Sequence, residues 1–144
     1  MQIKRSGSAT WKGGIKDGKG RISTQSGALS DHPYGFNSRF ESGKGTNPEE
    51  LIGAAHAGCF TMALSKILGD AGLEAEQLDT TAEVTLVQKD GGFTITAVHL
   101  TLEAAVPGTD RATFDDLAAK AKAGCPVSKL FKADITLDAR LIER

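Results

Sequence analysis

Four side chains in this 144-residue sequence have types and spacing that could do chemistry: the thiols of Cys59 and Cys125, the guanidinium of Arg39 and the carboxylate of Glu49. The two cysteines stand 66 positions apart (125 minus 59) and admit three readings, as inert buried residues, metal ligands or a redox pair. For metal, His56 and Cys59 share a helical face at i, i+3, but neither cysteine has a CxxC or comparable paired-ligand spacing. For redox chemistry the two settings differ. In "KAKAGCPVSKLF", Gly124 can cap one helix and Pro126 can begin the next turn, which puts Cys125 at a helix N-terminus, where the thiolate is favoured. Cys59 falls in the middle of a helical stretch and needs an imported cation to ionise at neutral pH. Arg39 can supply it, because a guanidinium keeps its charge and presents a fixed fork of donors that a carboxylate such as Glu49 can hold in place.

The elements that must carry these residues are marked along the chain. "TNPEELIGAAHAGCFTMALSKILGD" has Asn47 as N-cap, Pro48 at the first helical position, Glu49 and Glu50 in the first turn and Gly69 to end it. That predicts a helix over Pro48–Leu68, about 21 residues and roughly 30 Å long. Ahead of it, "IKRSGSATW", "RISTQSG" and "YGFNSRF" read as strands, so Arg39 is expected on a strand, a short glycine-bearing loop away from the long helix. Beyond it come "TTAEVTLVQK", the turn "DGG" and "FTITAVHLTLEAAV", then a helix from Phe114 to Ala123, a helical turn in "CPVSKLF" and a closing strand in "ADITLDARLIE". The order predicts an α+β fold, antiparallel sheet packed on helices, in a single domain over residues 1–144.

Composition narrows the function. Hydrophobic residues make up 40%, charged residues 24% and the net charge is -1, which offers nothing to attract nucleic acid or an anionic membrane. The N-terminal "MQIKRSGSATWKGG" lacks the apolar run of a signal peptide or membrane span, so a cytoplasmic protein is expected. In a reducing compartment two cysteines are poor candidates for a structural staple.

The long helix carries Gly53, Ala54, Ala55, Ala57 and Gly58, a run of small residues that suits close packing, either on the chain's own sheet or on a second copy of the helix. Glu49 lies ten positions before Cys59, about 15 Å along one helix, so the two cannot meet within it. Two copies crossing antiparallel near Ala54 would bring Glu49 of one level with Cys59 of the other.

"PYGFNSRFESGKGTNPEELIGAAHAGCFTMALS", "AVPGTD" and "KAKAGCPVSKLFKADITLDARL" together strongly resemble the OsmC family, in a match that covers essentially the whole chain. Within the OsmC/Ohr superfamily the resemblance is to the osmotically inducible branch, because the arginine lies just before the long helix; Arg21, in the hairpin region, is the second choice. The resemblance implies a thiol-dependent hydroperoxide reductase, built as an intertwined homodimer with antiparallel sheets wrapped around two long central helices and composite active sites. It assigns Cys59 as the peroxidatic cysteine, Cys125 as the resolving cysteine, Arg39 as the activating arginine and Glu49 as its partner, and it sets Glu50 aside as the N3 capping carboxylate. His56 also stays outside that catalytic set. On this reading the substrate is an organic hydroperoxide, no metal or prosthetic group is needed, and an external thiol, dithiol or lipoylated protein reopens a Cys59–Cys125 disulfide. Ile52, Phe60, Val127 and Phe131 are expected around an apolar entrance, although core packing explains them equally. A general thiol-disulfide oxidoreductase and a non-enzymatic stress-binding protein are the alternatives.

Overall fold

The computed structural model describes residues 1–143, which group into two compact units, the chain passing from one to the other between Leu51 and Ile52. In the first unit, β1 (Gly7–Lys12), β2 (Lys19–Thr24) and β3 (His32–Tyr34) form an antiparallel sheet in the order β1-β2-β3. The segment expected to continue as a strand turns instead into a short helix, α1 (Phe36–Phe40), so Arg39 stands on a helix. Local hydrogen bonds decide this. The Gly35 N–H donates to Ser38 Oγ at 3.0 Å, and the Ser38 hydroxyl donates to the Thr46 carbonyl at 2.8 Å. Phe36 and Phe40, one helical turn apart, pack with ring centres at 5.2 Å. Asn47 then caps α2 (Pro48–Asp70) as expected: its Oδ1 accepts from the Glu50 N–H at 2.8 Å, while its Nδ2 donates to the Glu50 carboxylate and, at 3.0 Å, to the Ser38 carbonyl.

The second unit holds the rest of α2, then β4 (Gln77–Lys89), β5 (Gly92–Ala105), α3 (Arg111–Gly124), α4 (Pro126–Leu130) and β6 (Asp134–Leu141). Its sheet has the order β4-β5-β6, and it is not wholly antiparallel. β4 and β5 form an antiparallel hairpin, but β6 runs parallel to β5, because α3 and α4 carry the chain back across before it re-enters. α3 starts three residues earlier than expected, where the Asp110 side chain accepts from the Thr113 N–H at 2.7 Å. α2 likewise outruns its expected stop at Gly69. It ends after Asp70, and Gly72 takes the left-handed conformation at φ +77° while the Leu73 N–H reaches back to the Leu68 carbonyl at 2.8 Å.

The core of this unit is built from Phe60, Leu64 and Leu68 of α2, Leu100 and Leu102 of β5, Phe114 and Ala118 of α3, and Cys125. α2 therefore has two different faces. Gly53, His56, Phe60, Leu64 and Leu68 are buried, whereas Ala54, Ala55, Gly58 and Met62 are exposed. The two glycines split between them: a Cβ on Gly53 would lie 2.9 Å from the Ala82 carbonyl oxygen of β4, and one on Gly58 would meet nothing within 4 Å. Gly53 serves the chain's own sheet, and Gly58 belongs to the open face.

Candidate active site

In the first unit, α1 and the first turn of α2 bring Arg39 and Glu49 together within one chain. Arg39 Nε donates to Glu49 Oε1 at 3.2 Å and Nη2 donates to Oε2 at 3.1 Å, a two-point clamp that fixes the guanidinium plane. This pair forms without a second subunit. The Glu49 side chain keeps 13% of its exposure and that of Arg39 keeps 36%, so the anchor is largely covered while the fork stays accessible. The aliphatic and aromatic surroundings are an addition that sequence did not suggest. Trp11, Ile15, Tyr34, Phe36 and Phe40 line a cavity of about 280 Å³ with Arg39, whose guanidinium carbon sits 5.2 Å from the Phe40 ring centre. Its signal was the i, i+4 pair of phenylalanines in "FNSRF", hidden while that stretch read as a strand. Arg21, the second choice, sits mid-strand in β2, opposite Thr10 and Pro33.

In the second unit the two thiols meet. Cys59 on α2 is half-buried and Cys125, at the junction of α3 and α4, is fully buried; both are free and hydrogen-bonded to each other. Their environments push them apart. Burial raises the Cys59 thiol, and its bond to Cys125 raises it further. Burial would also raise Cys125, but the Cys59 S–H together with the N–H groups of Val127 and Ser128 and the Ser128 hydroxyl outweigh it, so Cys125 is lowered. Of the two thiols, Cys125 is lowered and Cys59 raised.

One helical turn back on α2, His56 is fully buried and shares a 2.7 Å hydrogen bond between its Nε2 and Ser128 Oγ, with its ring edge-on to Phe131 at 5.4 Å. Of the expected entrance residues, Phe60 is fully buried in the core and Phe131 packs on His56; Val127 is only partly buried, packed against the core.

The OsmC-like protein family model matches residues 41–140, and peroxiredoxin OsmC of Escherichia coli (strain K12) is 60% identical over 141 residues, 98% of this chain and 99% of that protein. The chain belongs to the OsmC family. Organic hydroperoxide resistance protein OhrB of Bacillus subtilis is 30% identical over 124 residues, 85% of this chain and 88% of that protein. Its crystal structure superposes with a TM-score of 0.67 over 95% of this chain and 98% of that one, at 28% identity. The organic hydroperoxide resistance protein of Elizabethkingia anophelis, with thiocyanate bound, gives 0.69 over the full length of both chains at 25% identity. The α+β architecture with two small sheets is thus the one these OsmC-family structures share.

Proposed function

We propose that this chain is a cysteine-based peroxidase of the OsmC family that reduces organic hydroperoxides to alcohols as part of stress defence. The observation that carries it is the contact between a half-accessible thiol and a buried one across α2 and α4. The Cys59 thiolate attacks the O–O bond, leaving a sulfenic acid on Cys59 and an alkoxide that takes a proton and departs as the alcohol. The Cys125 thiolate then displaces hydroxide from that sulfur and forms the disulfide, and a dithiol or lipoylated protein restores both thiols. A disulfide formed at once keeps Cys59 from sulfinic acid.

Arg39 and Glu49 complete the site from a second copy of the chain. Three things support this. Cys59 is raised within its own chain, with no cation among the described residues to offset the rise; Glu49 lies ten residues before it on the same helix, about 15 Å away along the axis; and α2 leaves Ala54, Ala55, Gly58 and the 76%-exposed Met62 uncovered. An open groove of about 710 Å³ runs along that face past Ala57, Thr61 and Ser65. A homodimer packing α2 against its copy near Ala54 covers this apolar face and sets each clamp against the partner's Cys59. The clamp then stabilises the Cys59 thiolate and the charge on the leaving oxygen, and the aromatic cavity beside it receives the alkyl group.

Incubation with dithiothreitol and cumene or tert-butyl hydroperoxide tests the activity by loss of peroxide. The expected result is catalytic turnover with little action on model disulfides. Disulfide exchange without peroxide consumption would instead mark a general thiol-disulfide oxidoreductase, and neither activity a binding protein.

A further inference from the structure

We propose that His56 and Ser128 are positioning residues for the resolving thiolate, a hydrogen-bonded relay that aims the Ser128 hydroxyl proton at Cys125. The inference rests on the peroxidase reading and deepens its second step. Two rungs join α2 to α4: Cys59 meets Cys125, and one turn away on both helices His56 meets Ser128 at 2.7 Å. The spacing is three residues on each side, 56 to 59 and 125 to 128, so the second rung sets the register in which the first can form.

The relay has a direction. His56 is fully buried, and among the described residues its Nδ1 has no hydrogen-bond partner. A buried lone pair without a partner is less costly than a buried N–H without one, which assigns the proton to Nε2. Burial also holds the ring below its ordinary titration range, so it stays neutral, with one donor. Nε2–H then donates to Ser128 Oγ, and the single Ser128 hydroxyl proton is left to point at the Cys125 sulfur, which it faces together with the Ser128 N–H. The titratable groups that face Cys125 in this arrangement are Cys59 directly and His56 through Ser128. When the Cys125 thiolate attacks the Cys59 sulfenyl sulfur, an S–S bond forms and the S–O bond breaks; hydroxide leaves and takes a proton from solvent to become water. The relay holds the attacking sulfur charged and in line until that moment.

The test separates the two chemical steps in the intact protein, using one equivalent of cumene hydroperoxide and rapid quenching. In Ser128→Ala, sulfenic acid should form on Cys59 at close to the wild-type rate, disulfide formation should slow about tenfold, and sulfinic acid should accumulate on Cys59. Ser128→Thr, which keeps the hydroxyl, should recover most of the disulfide rate, whereas a purely steric role would leave it as slow as alanine or slower. In a Cys59→Ser background the pH midpoint for alkylation of Cys125 should rise by about one unit on Ser128→Ala. His56→Gln, which keeps an N–H donor, should be milder than His56→Leu in both measurements. Wild-type disulfide rates in Ser128→Ala, or equal defects in the alanine and threonine variants, would overturn the relay alone. A wild type that forms no Cys59–Cys125 disulfide would overturn the relay together with the peroxidase reading.

Discussion

A guanidinium clamped by one carboxylate through Nε and one Nη2 proton keeps three of its five N–H donors for other work, which is what a leaving oxygen needs. Arg39→Ala should therefore lower the rate of Cys59 oxidation roughly 10²-fold and move its pH midpoint upward, because removing a positive charge makes a thiolate harder to form. Arg39→Lys should recover only part of the rate, and Glu49→Ala should slow the same step by leaving the fork unanchored; stopped-flow oxidation across pH measures all three. Cys59→Ser should abolish peroxide reduction, while Cys125→Ser should react once and then over-oxidise, as mass spectrometry of peroxide-treated protein will reveal. A Cys125→Ser protein that never carries oxygen on Cys59 would reverse the assignment. At this scale the sequence was informative where a residue's chemistry is its own: a thiol after glycine and before proline, a charge that never titrates. Ser128 was not legible, because its importance lies in facing His56 from 72 positions away. For Phe60 the sequence left entrance and core equally open, because an apolar side chain reads the same in either, and the structure puts it in the core.

At the level of elements, α2 is the part that decides most, since its two faces make opposite demands on residues of one size. Gly53→Ala should destabilise the fold by about 1–3 kcal/mol, because the new methyl would press on a backbone carbonyl that cannot move aside. Gly58→Ala meets nothing in the chain itself and should be neutral or, by helix propensity, stabilising by up to about 1 kcal/mol at protein concentrations low enough to hold monomers. Chemical denaturation of the two variants separates them. The start of α2 was readable because capping is local: Asn47, Pro48 and Glu50 lie within four consecutive positions. Its end was misread at Gly69 since a glycine inside the last turn looks the same in sequence as the left-handed one at Gly72. Arg39 was placed on a strand because alternation in "YGFNSRF" is visible, whereas the Ser38 bonds that wind it into α1 are not. The direction of β6 was hidden for a related reason: residue alternation tells which face is buried but not which way a strand runs.

For the whole molecule the proposed homodimer makes a sharp genetic claim, because Arg39 and Glu49 pair inside one chain and must be donated together. Mixed dimers of a Cys59→Ser chain with either a Glu49→Ala or an Arg39→Ala chain should regain activity at one site of two, since the intact clamp faces the surviving Cys59. Dimers of an Arg39→Ala chain with a Glu49→Ala chain should stay inactive, because neither chain then holds a whole clamp. Heterodimers that form without reviving in the first pairings would end the trans arrangement. Ala54→Leu or Gly58→Leu should shift sedimentation toward monomer, overpacking a close contact at a cost of about 1–3 kcal/mol. The small-residue run made a second copy conceivable from sequence, but only the structure separates Gly53, turned to its own sheet, from the exposed residues. One further property follows from where the thiols lie along the chain. Between them run the rest of α2, β4, β5 and α3, a separation of 66 positions (125 minus 59), so oxidation ties most of the second unit into a covalent ring. A ring of that size restricts the unfolded chain by about 4 kcal/mol, equivalent to a melting point roughly 10 °C higher. Peroxide should thus toughen the molecule against heat, reversibly, and calorimetry before and after dithiothreitol should read its oxidation state as a temperature; in Cys125→Ser the difference should vanish.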